Sequence, residues 1–281
     1  NFGPVSWAGF RPFSRRHRNR SSLFMEKRCA APMTTKITKT RFTWFRHGLP
    51  WAAKNGVVLG QVKTDAKSNE ITAIPKLLNL LDIKGCIVTI DPMGCQKKIA
   101  GQIIDQGGVY VLGLKENQKG LLDEVTRCIE NLDTAGKDSD SFDYHETHEK
   151  GHGREETRRC LITDAIDDIV GKSDWKGLKT VGVMESTRKM EGKTSVDYRF
   201  YISSMEKDAA RFSKAVRSHW GIETQLHWVL DVAFDEDHSR VRKDNAPENL
   251  AMLRHIALNL IKQEKTSKIG VKNRRLQAGW D

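Results

Sequence analysis

The strongest constraint on the fold is a short β-branched run that ends in an acid and two chain-breaking residues. Residues 87–90 are Ile-Val-Thr-Ile, between turn residues, and such a run predicts a strand buried on both faces. Asp91 follows at the carboxyl end of this strand, and Pro92 and Gly94 end it. Ligands and catalytic groups collect at such strand ends in open α/β sheets, whereas the plainer interpretation is that Asp91 caps the next helix.

The residues around this strand predict alternating strands and helices. Strands are predicted at 57–62, 87–90 and 109–114, and helices at 68–81, 96–106 and 119–132. This alternation predicts right-handed crossovers and a largely parallel sheet, so the fold class is α/β.

A change in pattern divides the rest of the chain. After a polar, loop-like segment at 133–144 the pattern turns to β, with strands predicted at 155–162, 180–188 and 196–203, and helices return from about residue 208. The predicted organisation is a first part of the core at 51–132, a β-rich insert at 133–207 and a helical remainder at 208–281.

Residues 1–50 differ from the rest in charge and in pattern. The first 49 residues hold 11 Lys and Arg against one acid, Glu26, and so carry +10 of the net charge of +11. A basic composition without periodic apolar residues predicts a disordered leader. Two alternatives stay open, namely a basic arm that binds phosphate and a strand at 37–45. Because the body is nearly neutral, the overall charge does not by itself indicate a nucleic-acid partner.

Composition favours an intracellular protein without a membrane partner. No apolar run approaches the roughly 18–20 residues that cross a bilayer, and no apolar segment of a secretory signal follows the basic N-terminal region. The five cysteines are irregularly spaced and contain no CxxC pair, which disfavours a zinc ribbon. A cytoplasmic location is therefore expected.

A second informative stretch places an acid beside an apolar helix stripe. Glu223 lies three residues after Trp220 and four before His227, so all three fall near one helix face. Such an acid rarely lacks a partner or a metal ion, although a solvated helix acid near Arg217 is the plainer interpretation. Asp91 and Glu223 together suggest a carboxylate site for Mg²⁺, in which two ions clamp the attacking and leaving oxygens of a phosphoryl transfer.

Several long motifs resemble those of the DDE transposases of the H-repeat-associated type. They are Asn-Gly-Val-Val-Leu-Gly-Gln-Val-Lys-Thr at 55–64, Thr-Ile-Asp-Pro-Met-Gly-Cys-Gln at 89–96, Gly-His-Gly-Arg at 151–154, His-Trp-Gly-Ile-Glu at 219–223 and Asn-Ala-Pro-Glu-Asn-Leu at 245–250. The resemblance covers about residues 51–281. It implies a ribonuclease-H-like mixed sheet flanked by helices, a β-rich insert before the last catalytic acid, and Mg²⁺ or Mn²⁺ as cofactor. It also implies DNA, as element ends and target, as partner, and a bacterial-type nucleoid association.

By position, Asp91 matches the second acid of the family's catalytic triad and Glu223 the third, and both would bind the metal ions. The family's first acid lies in an Asp-Gly-Lys motif on the opening strand. This chain has no such motif and no Asp before Asp65, which follows the wrong strand. The leader is therefore expected to be unrelated sequence joined by a frameshift or a fusion. Where the family has an Arg before the third acid this chain has His219, so Arg217 is assigned to bind DNA phosphate, with His219 beside it.

Two further residues and one cluster complete the candidates. Lys115 and Asn117 follow a strand, and we assign them to contacts with DNA phosphate. His145, His148 and His152 fit no zinc spacing, which favours loop histidines over a metal site.

The leading hypothesis is a transposase-family protein that cuts and joins DNA by metal-dependent phosphoryl transfer, impaired by the missing first acid. The alternative is a catalytically dead remnant that at most binds DNA. An α/β enzyme for a small molecule is disfavoured, because the sequence has no glycine-rich phosphate loop. The sequence leaves open which DNA ends are recognised and whether the protein forms a homodimer.

Overall fold

The structure is a computed structural model that describes residues 42–46, 49–52, 57–58, 70–134, 141–151 and 153–280. Its strands are β1 (Phe42–Arg46), β2 (Leu49–Ala52), β3 (Val57–Val58), β4 (Ile87–Ile90), β5 (Val109–Leu114), β6 (Phe142–Gly151), β7 (Arg154–Thr163), β8 (Thr180–Met190) and β9 (Lys193–Ser203). Its helices are α1 (Glu70–Leu80), α2 (Lys97–Asp105), α3 (Lys119–Thr134), α4 (Ala209–Ile222), α5 (Trp228–Phe234), α6 (Ala246–Gln263) and α7 (Val271–Gln277). A π-helical segment, Glu223–His227, lies between α4 and α5. The predictions for residues 1–41 lie outside the described residues.

The nine strands of the described part of the chain form one mixed sheet, in the order β3-β2-β1-β4-β5-β9-β8-β7-β6. β1 and β5 lie on either side of β4 and run parallel to it, whereas the other neighbouring strands pair antiparallel. The mixed α/β class is confirmed, but the prediction of a largely parallel sheet is wrong. The reason is that β6 to β9 extend the same sheet beyond β5, and tight turns join β6 to β7 and β8 to β9, which forces antiparallel pairing.

The central strand β4 is buried on both faces, as its sequence predicts. Because side chains alternate along a strand, Val88 and Ile90 pack into the cluster formed with α1, α2 and α3. Ile87 packs on the other face against α4, whose Phe212 also contacts the Tyr201 ring edge-on, with ring centroids 5.7 Å apart. The carboxyl end of β4 therefore lies between two helical layers.

The opening strand differs from the prediction for the leader. Residues 42–46 and 49–50, within the leader expected to be disordered, lie in β1 and β2, and β1 overlaps the strand left open at 37–45. β1 pairs with β4 in register, from Phe42 opposite Ile87 to Phe45 opposite Ile90. This pairing supplies partners to backbone groups of β4 that would be costly to bury without them.

The strands β6 to β9 are held by buried ion pairs as well as by their backbone pairing. Glu156 is 2% exposed, and its carboxylate lies 2.6 Å from Nη2 of Arg158 and 2.9 Å from Nε of Arg188. Glu185, equally buried, pairs with Arg159 at 3.1 Å. Burial by itself raises the pKa of Glu156, but the hydrogen bond from Arg188 and the surrounding guanidinium charges outweigh it and hold that pKa below its usual range.

The C-terminal helices form a smaller apolar cluster of their own. Ile222, Leu226 and Leu230 pack with Leu258 of α6, so the turn that carries Glu223 is anchored on its buried side. None of the helices in the described ranges is long and apolar enough to span a membrane.

We predict that Gly94→Ala destabilises the protein by about 1–3 kcal/mol, the usual cost of overpacking. A Cβ at Gly94 would overlap Cγ2 of Ile90 and lie 2.7 Å from Cδ1 of Ile74. Gly101→Ala is the matched control, because nothing lies within 4 Å of its added methyl in α2; alanine there should raise stability slightly. Urea unfolding of both variants measures the difference, and equal stabilities would contradict this packing.

We predict that Glu156→Gln lowers stability at neutral pH by about 3 kcal/mol or more, because it removes the charge that compensates buried Arg158. The folded-state pKa of Glu156 is below its ordinary value of 4.5, so its contribution is complete above that value and is lost as the pH falls through the folded-state pKa. The stabilities of wild type and variant should therefore converge in acid. Glu155→Gln, at an exposed neighbour, is the control and should change little. Parallel pH curves for wild type and Glu156→Gln would contradict the prediction.

Candidate active site

The site is built at the carboxyl edge shared by the parallel strands β4 and β5. Asp91 follows the last residue of β4, and a short 3-10 turn, Pro92–Gly94, begins directly after it. The Asp91 side chain makes no capping hydrogen bond to this turn, and the N-cap of α2 is Gln96. The alternative in which Asp91 only caps the next helix is therefore wrong.

A buried histidine connects Asp91 to α4. Nε2 of His219 lies 2.7 Å from Oδ1 of Asp91, and Nδ1 of the same ring lies 2.9 Å from Oγ1 of Thr89. Thr89 and Asp91 are two residues apart and so face the same side of the sheet. His219 is 7% exposed, so both of its ring nitrogens are engaged inside the protein rather than at a surface where DNA phosphate would lie.

Thr89 is a residue of this site that sequence reasoning missed. The β-branched pattern of β4 does not single it out, although it is the one side chain of β4 with a polar atom. A buried hydroxyl requires a hydrogen-bond partner, and that requirement was the signal available in the sequence. The identity of the partner, 130 residues away, could not be read from it.

Glu223 begins the π-helical segment one turn after His219. Residues four apart on a helix occupy the same face, so the backbone brings the Glu223 position to the side of α4 that faces Asp91. π-helical turns within α-helices occur frequently at functional sites. The side chain of Glu223 is outside the described part of the structure. The expected approach of its carboxylate to Asp91, within about 4–8 Å as for ligands of a metal pair, stays a prediction.

Lys115 and Asn117 lie at the same edge, just after β5. Lys115 is exposed at the start of a 3-10 turn. Nδ2 of Asn117 donates to the carbonyl of Pro92 at 2.7 Å, and Gln118 donates to the carbonyl of Cys95 at 2.9 Å. Asn117 therefore braces the loop after Asp91, a contact the sequence did not indicate.

Arg217 points away from Asp91 and pairs with the insert. Its Nη2 donates to both carboxylate oxygens of Glu149 on β6, at 2.7 Å each. Burial tends to raise the pKa of Glu149, but the hydrogen bond from Arg158 and the charges of Arg158 and Arg217 hold that pKa below its usual range. The assignment of Arg217 to DNA phosphate stays a prediction.

The remaining candidates do not form a second centre. Across the described residues, no group of three or more His, Cys, Asp or Glu side chains is arranged to hold a metal ion. His145 lies opposite Cys160 in the β6–β7 pairing, and His148 contacts Thr157 and Glu146; His152 lies outside the described residues. Burial raises the pKa of Cys95, near Asp91 in sequence, to about 12, so this thiol stays protonated.

Comparison with known proteins identifies the family. The sequence model described as "Transposase DDE domain" matches residues 15–260, a match that starts well before the expected residue 51. The chain is 47% identical over 226 residues to "Putative transposase YncI" of Escherichia coli O157:H7, covering 79% of this chain and 57% of that protein. It is 41% identical over 236 residues to "H repeat-associated putative transposase YhhI" of Escherichia coli (strain K12), covering 82% of this chain and 62% of that protein.

This chain therefore spans about three fifths of the length of these relatives. A family match over most of the chain, together with identities of this size, settles membership. The chain belongs to the DDE transposase family.

Proposed function

We propose that this protein is a DNA-binding member of the family whose ability to cut and join DNA is impaired. The observation that carries the proposal is the central strand pair: β4 ends in Asp91, whereas the neighbouring β1 consists of Phe-Thr-Trp-Phe-Arg and contributes no acid. In related enzymes an oxygen of water or of a DNA 3′-hydroxyl attacks a phosphodiester, and the former 3′-oxygen leaves. That reaction needs acids on both strands.

The order of the first five strands supports a ribonuclease-H-like core. In such sheets the strand that bears the first acid lies beside the one that bears the second. Here β1 lies beside β4 in the order β3-β2-β1-β4-β5, with parallel pairing on both sides of β4. The strands β6 to β9 come before α4, where the family's insert precedes the third acid.

We infer that Asp91, Glu223 and β1 together supply too few acids for a pair of metal ions. A two-metal centre holds ions about 3.5–4 Å apart, bridged and flanked by several carboxylates. Oδ1 of Asp91 already accepts a hydrogen bond from His219. Glu223 would add one carboxylate, and β1 adds none. Hard oxygen ligands from Asp91 and Glu223 would suit one Mg²⁺ or Mn²⁺ ion that keeps most of its water.

We assign to His219 the task of positioning Asp91. In the neutral ring, Nε2–H donates to Asp91 and Nδ1 accepts the hydroxyl proton of Thr89, so one tautomer satisfies both contacts. Because His219 lies on α4, the same side chain fixes the spacing between the end of β4 and the helix that leads to Glu223. DNA phosphate contacts are then left to exposed bases such as Lys115.

We predict that the purified chain gives no strand-transfer product with Mg²⁺ or Mn²⁺ on DNA carrying the parent element's ends, although it binds that DNA. Continuing the β1–β4 register by one residue places Arg46 opposite Asp91. Arg46→Asp should therefore add a metal ligand and strengthen Mn²⁺ binding in calorimetry. Arg46→Asn, which removes the same positive charge without adding a carboxylate, is the matched control.

Robust joining by the unaltered chain, abolished by Glu223→Ala, would show that β1 does not limit catalysis. Failure to bind DNA at all would refute the proposed partner.

We predict that His219→Leu destabilises the protein by about 1–3 kcal/mol, because it leaves the buried Thr89 hydroxyl and the Asp91 carboxylate without this partner. Thr89→Val removes the hydroxyl with little change of shape. If the hydrogen bond links the two, the double variant should cost less than the sum of the single variants, by about 0.5–1.5 kcal/mol. Chemical unfolding of all four proteins gives this coupling, and strict additivity would mean that the Thr89–His219 contact contributes nothing.

A further inference from the structure

A cavity of about 360 Å³ lies between α4 and the strands of the insert. Its lining includes Trp220, which directly follows His219 on α4, and the two rings meet edge-on with centroids 5.9 Å apart. The volume is within the range of about 300–1,000 Å³ that is usual for ligand sites. The cavity is therefore large enough for a ligand, and its Trp220 wall contacts His219.

The lining of this cavity is strongly basic. Among its described lining residues, five are cationic and one, Glu149, is acidic; the cations are Arg158, Arg188, Arg199, Lys214 and Arg217. Glu156 forms ion pairs with Arg158 and Arg188, and Asp197 forms one with Arg199. The cations still outnumber the three acids by two, so the cavity attracts anions.

An aromatic wall is held rigidly at the same place. The guanidinium of Arg199 stacks over the Trp220 ring, 4.1 Å from its centroid. The Trp220 side chain also hydrogen-bonds the Tyr201 hydroxyl. Even so, Trp220 is 40% exposed. A fixed tryptophan with an arginine on its face is a surface suited to nucleotides, which offer both a flat base and a charged phosphate.

Glu149 already occupies the position where an anion would bind. One arginine nitrogen of Arg217 donates to both Glu149 oxygens at 2.7 Å, and Nη1 of Arg158, whose side chain is 10% exposed, lies 3.1 Å from Oε2. A phosphodiester presents two non-bridging oxygens that can replace these two carboxylate oxygens. Because the side chains of Glu149 and Arg217 are each nearly half exposed, their pair is weak and open to exchange.

We infer that this cavity is a phosphodiester-binding site for a DNA strand, and that Glu149 is an internal carboxylate that competes with the DNA phosphate for Arg217 and Arg158. The inference rests on the proposed DNA-binding function and adds to it a location and an intramolecular competitor. In the DNA complex, Glu149 leaves Arg217 and the phosphate takes its place.

The competition predicts that removing an acid at one position strengthens DNA binding. With a fluorescent single-stranded oligonucleotide, Glu149→Gln should lower the Kd roughly two- to fivefold, the range given by release of a half-exposed ion pair. Glu155→Gln is the matched control, since it removes the same charge from a pair with Lys150 at the end of the same hairpin, and it should have a smaller effect. Arg217→Gln should weaken binding and reduce the salt slope by about 1. The gain from Glu149→Gln should shrink in the double variant with Arg217→Gln, where only the competition for Arg158 remains.

Equal gains from Glu149→Gln and Glu155→Gln would overturn the inference, because net charge alone would then explain both. If the wild-type chain binds DNA and Glu149→Gln changes nothing, the cavity is not the site, while the proposed function stands. Inorganic phosphate supplies a second arm, read as a fluorescence change present in wild type and absent in Trp220→Phe. A phosphate response without any effect of Glu149→Gln on DNA affinity would assign the cavity to free phosphate and overturn the DNA assignment. Matching circular dichroism spectra show that each variant is folded.

Discussion

The arrangement of the site depends on a pair of hydrogen bonds that connect Thr89 to His219 and His219 to Asp91. They join the end of the central strand to a helix whose residues follow about 130 positions later in the chain. Apolar packing of residues such as Phe212 and Val216 also holds α4 against the sheet, but it is not directional. The ion pair of Arg217 with Glu149 connects α4 to β6 and not to the central strand. Buried polar contacts with all partners satisfied fix geometry more strictly than apolar contacts do.

The insert adds to this geometry because it is not a separate layer. The strands β6 to β9 continue the core sheet from β5 outward, so α4 packs across the core and the insert together. The ion pairs of Glu156 and Glu185 keep the insert ordered where its side chains are too polar to form an apolar core. Arg158 and Arg188, which balance Glu156, also line the cavity beside Trp220, so these charges serve both folding and the proposed binding of phosphate.

The sequence predicted the elements whose hydrophobic period is strong. β4 and β5 occur at the residues predicted, and Asp91 lies at the carboxyl edge of the sheet because the strand ends where Pro92 and Gly94 require it. β6 was not predicted from Phe142 onward, since its polar residues carry no apolar alternation. Its partner strand and its ion pairs compensate for this, and neither is a local property. The short helix α7 was missed for a similar reason.

Contacts between distant residues were beyond reach of the sequence. His219 was expected to meet DNA because of its place before the third acid, yet its burial turns it toward Thr89 and Asp91. Arg217 was assigned to DNA phosphate, and in the structure it pairs with Glu149. In both cases the residue type was informative and the direction was set by how α4 lies across the sheet.

We propose that β4 presents Asp91 beside a strand, β1, that supplies no acid, and that the chain therefore binds at most one metal ion. Electron paramagnetic resonance of the protein titrated with Mn²⁺ tests this most directly, because two ions about 3.5–4 Å apart couple magnetically and isolated ions do not. We expect only the spectrum of isolated Mn²⁺, with no more than one weakly bound ion per chain. A coupled two-ion spectrum that disappears in Asp91→Asn would contradict it.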